Sequence, residues 1–109
     1  KSYFLMRRGK MTEYKLKVSP QAKKNLKKLS KDKRLKSKFE TSIIEILQDP
    51  YGAGILKSGD LAGVYGYDLY DAGTNYELAY TIQKNGNELE VFLILVGSRE
   101  NFYEPLKRY

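Results

Sequence analysis

The stretch DLAGVYGYDLYDAGTNYELAYTI, Asp60 to Ile82, alternates aromatic rings with small and acidic residues and reads as a β-hairpin. It carries carboxylates on both arms, Asp68 before the turn and Glu77 after it. Histidine and cysteine are absent from the 109 residues. Their absence removes the usual proton shuttle at neutral pH, thiolate metal sites and disulfides. Acid–base chemistry would have to run on Lys, Arg, Tyr, Asp or Glu, and neither a metal nor a cofactor is expected.

Those carboxylates stand in a basic chain of net charge +7. The charge is unevenly spread. Residues 1–38 hold 15 Lys/Arg against Glu13 and Asp32, whereas residues 39–109 hold five basic groups against eleven acids. A basic N-terminal part is therefore joined to a mildly acidic C-terminal part, which suggests a polyanionic or acidic partner. The length suits one domain with a modest core. Residues 1–10, KSYFLMRRGK, precede Met11 and are expected to be an extension outside the fold, leaving 11–109 as a single domain. No apolar run approaches the roughly 20 residues of a membrane span, and Tyr3–Met6 is too short for a signal-peptide core. A cytoplasmic protein without membrane contact is expected.

The elements that must position the hairpin follow from periodicity. EYKLKV alternates as a strand, with Tyr14, Leu16 and Val18 on its buried face. Ser19-Pro20 is a helix start, serine as N-cap and proline in the first turn. The first helix has a narrow apolar stripe of Ala22, Leu26 and Leu29. After a turn near Ser30–Asp32, a second helix runs to about Gln48, burying Leu35, Phe39, Ile43, Ile46 and Leu47; Asp49-Pro50 ends it. A glycine-rich loop holds a short strand around Ile55–Lys57. Val64–Tyr70 and Tyr76–Ile82 form the hairpin arms, Asn85-Gly86 marks another turn, and ELEVFLILV reads as a central strand buried on both sides. The tail can close as a short helix. The order β-α-α-β-β-β-β-(α) implies an α+β fold, an antiparallel sheet with an αα-hairpin on one face.

Four stretches, SPQAKKNLKKL, ILKSGDLAGVYGYDL, NYELAYTI and VFLILVGSRENFY, together with the element order, resemble toxins of the RelE/ParE superfamily from bacterial type II toxin–antitoxin modules. The likeness covers Met11 to Tyr109. It is strongest to RelE- and YoeB-like members in the Leu-Lys…Leu-x-Gly-x-Tyr pattern, the Tyr-x-Leu-x-Tyr strand and the Val-Gly-x-Arg-Glu ending. The resemblance implies a small microbial-RNase-like fold, a cognate antitoxin, and cleavage of mRNA in the ribosomal decoding site. ParE-like members share the fold and instead act on DNA gyrase.

RNA cleavage without a metal needs a base for the 2′-OH, a cation for the phosphate and an acid for the leaving 5′-oxygen. The resemblance places Arg99 where the family keeps a phosphate-binding arginine, a role suited to bidentate guanidinium geometry. The plainer alternative is a surface arginine paired with Glu100 or Glu104. Tyr103 matches a C-terminal tyrosine that stacks on a base or assists proton transfer, or else tucks beside Phe102. Lys57 matches the family's Leu-Lys position and would contact a phosphate, unless it is an ordinary edge-strand lysine.

The departures are as informative. Gly66 and Asp68 stand where RelE-like members carry basic residues, and Glu77 replaces an arginine. Gly54 stands where YoeB-like members have a glutamate, and the histidine in which those members end is missing. Three accounts fit: Asp68 or Glu77 is a general base opposite Arg99, as carboxylates are in fungal-type RNases; Glu77 is a detoxifying replacement; or the protein acts through protein contacts as ParE-like members do. Most hairpin tyrosines are expected to be structural. Lys23, Lys24, Lys27, Lys28, Lys31 and Arg34 gather on the helices, as a solvated surface or as a grip on ribosomal RNA.

Overall fold

The computed structural model describes residues 14–101. Tyr103, the expected terminal helix and the N-terminal extension lie outside them. The elements are β1 (Tyr14–Val18), α1 (Pro20–Leu29), α2 (Lys33–Gln48), α3 (Pro50–Ala53), β2 (Ile55–Leu56), β3 (Tyr65–Asp71), β4 (Thr74–Asn85) and β5 (Glu88–Ser98). Single 3-10 turns cover Gly59–Leu61 and Arg99–Asn101. Among the described residues no helix is long and apolar enough to cross a membrane.

Local signals account for most boundaries. Ser19 caps α1, its Oγ accepting from Ala22 N–H at 2.9 Å. Asp32 caps α2, accepting from Arg34 and Leu35 N–H. Asp49 ends α2 and at once caps α3, accepting from Gly52 N–H. Pro50 thus stops one helix and opens a short one that the sequence did not suggest, since proline is tolerated in a first turn. Between β3 and β4 the chain reverses through Ala72 (φ 47°) and Gly73 (φ 84°). Positive φ at both central residues matches the twist of the flanking strands.

The sheet order is β1-β5-β4-β3-β2. β2 to β5 are antiparallel, as expected, but β1 lies parallel to β5, so the sheet is mixed rather than wholly antiparallel. The physical reason is the helical connection: it leaves the first strand free to slot beside the last, which no hairpin turn constrains. Lys15–Glu88 at 3.1 Å and Lys17–Glu90 at 3.7 Å support that pairing. Leu16, expected inside, is 38% exposed on this edge strand.

The helices cover one face. Ala22, Leu35, Phe39 and Ile46 pack with Leu78, Tyr80, Val91, Leu93 and Val96. Tyr65, Tyr67 and Tyr76 join this core, so these tyrosines are structural. Tyr80 is wholly buried, stacks on Tyr65 and donates its hydroxyl to Pro50 O at 2.7 Å. Burial pushes its pKa up to about 12. Val64, Ala79, Ile94 and Leu95 make a smaller cluster on the opposite face.

The inward-facing positions of β5 switch at a bulge: Ala79 pairs with Leu95 but Tyr80 with Leu93. Ser19 ties the start of α1 to it. Its N–H donates to Leu93 O at 2.9 Å and its Oγ to Ile94 O at 2.6 Å.

The hairpin is tied to α2 through Asp71. Arg34 donates to both carboxylate oxygens, at 3.2 and 2.9 Å, and Lys38 Nζ lies 2.9 Å away. Arg34 first and Lys38 second hold Asp71 at a pKa of about 2, below its ordinary 3.8. The stabilisation is therefore full above the ordinary value and is lost as pH falls towards 2. Thermal midpoints measured across this acid range should drop steeply for the natural chain, and Asp71→Asn should be less stable near neutrality with a shallower acid loss.

Candidate functional site

On the face away from the helices, β4 alternation points Glu77 the same way as Ala79. Glu77 is 2% exposed. Lys57, just beyond β2, brings its Nζ to 2.7 Å from Glu77 Oε2, with a side chain only 15% exposed. Arg99, at the end of β5, places Nε 3.6 Å from Glu77 Oε1 and Nη1 3.8 Å from Asp68 Oδ1. Asp68 is opposite Glu77 in the β3–β4 register. Four sequence-distant charges thus meet in one patch, two cations and two carboxylates.

The two cations are held differently. Lys57 is at ordinary charge-assisted hydrogen-bond distance and shielded from water. Arg99 is beyond that distance from both carboxylates, and its side chain is 46% exposed. Glu77 Oε1 makes no hydrogen bond among the described residues.

Gly66 explains how a glutamate fits here. A Cβ on Gly66 would collide with Glu77 Oε2 and stand 3.1 Å from Lys57 Cε. The glycine that reads in sequence as a missing basic residue is the space into which the Lys57–Glu77 pair folds. Sequence reasoning missed that role. The signal available was the β3–β4 hairpin itself, whose register through Asp71 and Thr74 sets Gly66 beside Ala79, two residues from Glu77 and on the same face.

Of the helical candidates, Lys23, Lys24, Lys27, Lys28 and Lys31 are exposed. Arg34 is committed to Asp71, a tie it shares with Lys38 at i, i+4 on α2. A cleft of ≈ 530 Å³ between α1 and the ends of β4 and β5, lined by Gln21, Asn25, Lys28, Tyr76, Ser98 and Glu100 among others, lies on the helix side. It is separate from the charge patch. The patch has the stronger chemical claim because it concentrates shielded ionisable groups, whereas the cleft pairs neutral amides with surface charges.

The mixed five-stranded sheet, with helices packed on one face and the charge patch on the other, has counterparts among solved structures. The structure is similar to a YoeB/ParE toxin from Agrobacterium tumefaciens, at TM-score 0.63 and 18% identity over 77% of this chain and 96% of that one. It is similar to the RelBE2 toxin–antitoxin complex from Mycobacterium tuberculosis, at 0.61 and 24%, over 81% and 100%. A mutant of E. coli RelE in the free state matches at 0.67 and 22%, over 89% and 93%. No curated protein matches the sequence. Residues 16–107 match the model of the ParE-like toxin of type II bacterial toxin–antitoxin systems, and the chain belongs to that family, within the RelE/ParE superfamily.

Removing one member of the buried pair should expose its cost. Lys57→Met is expected to destabilise the fold by about 3 kcal/mol in denaturant titration, whereas Lys57→Met with Glu77→Leu should recover most of that loss. Gly66→Ala should cost ~1–3 kcal/mol by crowding the same pair.

Proposed function

We propose that the chain is the toxin of its module and acts as an endoribonuclease on ribosome-bound mRNA in the cytoplasm, silenced by a cognate antitoxin. The observation that carries this is the convergence of Lys57, Asp68, Glu77 and Arg99 on the face that none of the described helices covers. Glu77 Oε1 is the base that takes the 2′-OH proton as the 2′-oxygen attacks phosphorus. Arg99 holds the non-bridging phosphate oxygens, and Lys57 fixes the carboxylate's position. The P–O5′ bond breaks to leave a 2′,3′-cyclic phosphate. The departing 5′-oxygen takes a proton from an acid, for which Tyr103 is the candidate.

The exposed Lys23, Lys24, Lys27, Lys28 and Lys31 supply long-range attraction to ribosomal RNA while the open face meets the message. Arg34 is left out of this set because Asp71 holds it.

A second reading has its own support. The patch pairs two cations with two carboxylates, so it offers little net attraction to a polyanion. That favours action through protein contacts, with DNA gyrase as the target.

Purified chain without antitoxin should cut mRNA on ribosomes, and Glu77→Gln and Arg99→Ala should each lower the rate by about 100-fold or more. If neither the natural chain nor Glu77→Arg cuts, and gyrase supercoiling is inhibited, the second reading replaces the first. Ribosome affinity should fall steeply with salt, with a slope reduced by about one for each helical lysine neutralised; a flat response would remove the docking role.

A further inference from the structure

Leu69 packs into the aromatic core and Asp71 bonds to α2, so Tyr70 between them is turned to the opposite face of β3. The other tyrosines of β3 and β4, Tyr65, Tyr67, Tyr76 and Tyr80, belong to the helix-side core. Tyr70 is instead 63% exposed. High strand propensity explains a tyrosine in β3, but it does not explain a ring on the side of the charge patch.

The register places that ring. Tyr70 is two residues from Asp68 on the same face, about 7 Å along the strand. It pairs with Asn75 across the hairpin, and Asn75 is exposed as well. Tyr76 pairs with Ser98, so the chain leaves β5 for Arg99 alongside Asn75. Tyr70 therefore flanks the ionic groups at the hairpin end of their surface, at the scale of one extended nucleotide from Asp68. Towards the other end, Ile55 pairs with Gly66 and offers an aliphatic side chain, not a flat ring.

The patch itself sets two cations against two carboxylates, so its net pull on a polyanion is small. A substrate held there needs a contact that does not depend on net charge. Stacking of a base on an aromatic ring is such a contact, and every base has a face for it.

We propose that Tyr70 is a stacking platform for the nucleobase adjoining the phosphodiester at the charge patch. The inference rests on the endoribonuclease reading of the patch and adds the contact that positions its substrate. Only an unpaired base can lie flat on the ring, so Tyr70 selects single-stranded over duplex RNA and tolerates any base. The ring acts through its face and not its hydroxyl. Phenylalanine can therefore replace it, and leucine, though apolar and of similar bulk, cannot.

The test uses the full chain and two fluorescent single-stranded oligonucleotides of equal length and charge. One has 2′-deoxyribose throughout, and so no attacking hydroxyl; the other is its abasic counterpart. Anisotropy titrations compare the natural chain with Tyr70→Phe, Tyr70→Leu and Tyr70→Ala, each first shown to fold by circular dichroism and a cooperative thermal transition. On the base-bearing strand, Tyr70→Leu and Tyr70→Ala should each weaken binding roughly tenfold, and Tyr70→Phe should match the natural chain. On the abasic strand the variants should bind alike, since ring and base act through one contact. The tenfold ratio should persist between about 50 and 200 mM salt while all affinities fall together.

A loss in Tyr70→Ala of the same size on both strands overturns the inference, because the ring would then serve the fold or the backbone and not a base. Tyr70→Leu binding as tightly as the natural chain, or a natural chain that binds neither strand, overturns it too. So does a Tyr70→Ala chain that keeps its affinity for the base-bearing strand but loses inhibition of gyrase supercoiling, which would make the ring a protein contact. The endoribonuclease reading fails separately, if the ring-and-base dependence is found yet the natural chain leaves ribosome-bound mRNA uncut.

Discussion

A carboxylate with almost no contact with water is the constraint around which the open face of this sheet is arranged. Burying Glu77 takes an ion out of water, a penalty of several kcal/mol that is offset only by a close partner. Lys57 is that partner at 2.7 Å, and Gly66 gives the pair the volume it needs. Three strands must be in register for this to occur: β2 to deliver Lys57, β3 to present a glycine, and β4 to aim the glutamate. A well-packed apolar pair would stabilise the sheet as well or better. Stability alone therefore does not account for the ions, which is why they draw a chemical reading.

The remainder of the fold supports that arrangement from behind. The large aromatic core between helices and sheet fixes β3 and β4 through Tyr65, Tyr76 and Tyr80. Ser19 ties the start of α1 to the bulge in β5, and that bulge changes which β5 side chains face the helices before the strand reaches Arg99. The Arg34–Asp71–Lys38 tie anchors the far end of the hairpin to α2. Charge is divided accordingly. Cations on α1 and the start of α2 remain in solvent, while those on the open face and the hairpin tie are matched by carboxylates.

Much of this was legible in one dimension. Alternation in β1, the serine cap, the apolar stripes of α1 and α2, and the two hairpin turns each depend on residues within a few positions of one another. So the element order could be read directly, and family-specific spacing carried the toxin resemblance. Pairings between distant elements were another matter. β1 beside β5 in parallel, α3 beginning at the proline that ended α2, and Leu16 at an exposed edge follow from how the chain closes. The candidate residues Lys57, Asp68, Glu77 and Arg99 were named from motif positions, yet nothing in the motifs said that the carboxylates neutralise the cations.

By itself the sequence determined that any acid–base chemistry here avoids histidine and cysteine, that the helices are basic and the hairpin acidic, and that the elements follow the toxin order. These are properties of residue type and local spacing, which survive without knowledge of long-range contacts. Only the tertiary structure decided that Gly66 is a space and not a loss, that Arg34 is committed to Asp71, and that Glu77 grips Lys57 closely while Arg99 is held at arm's length. Electrostatic interaction depends on distance and on exclusion of water, and both are set when strands far apart in the chain come into register.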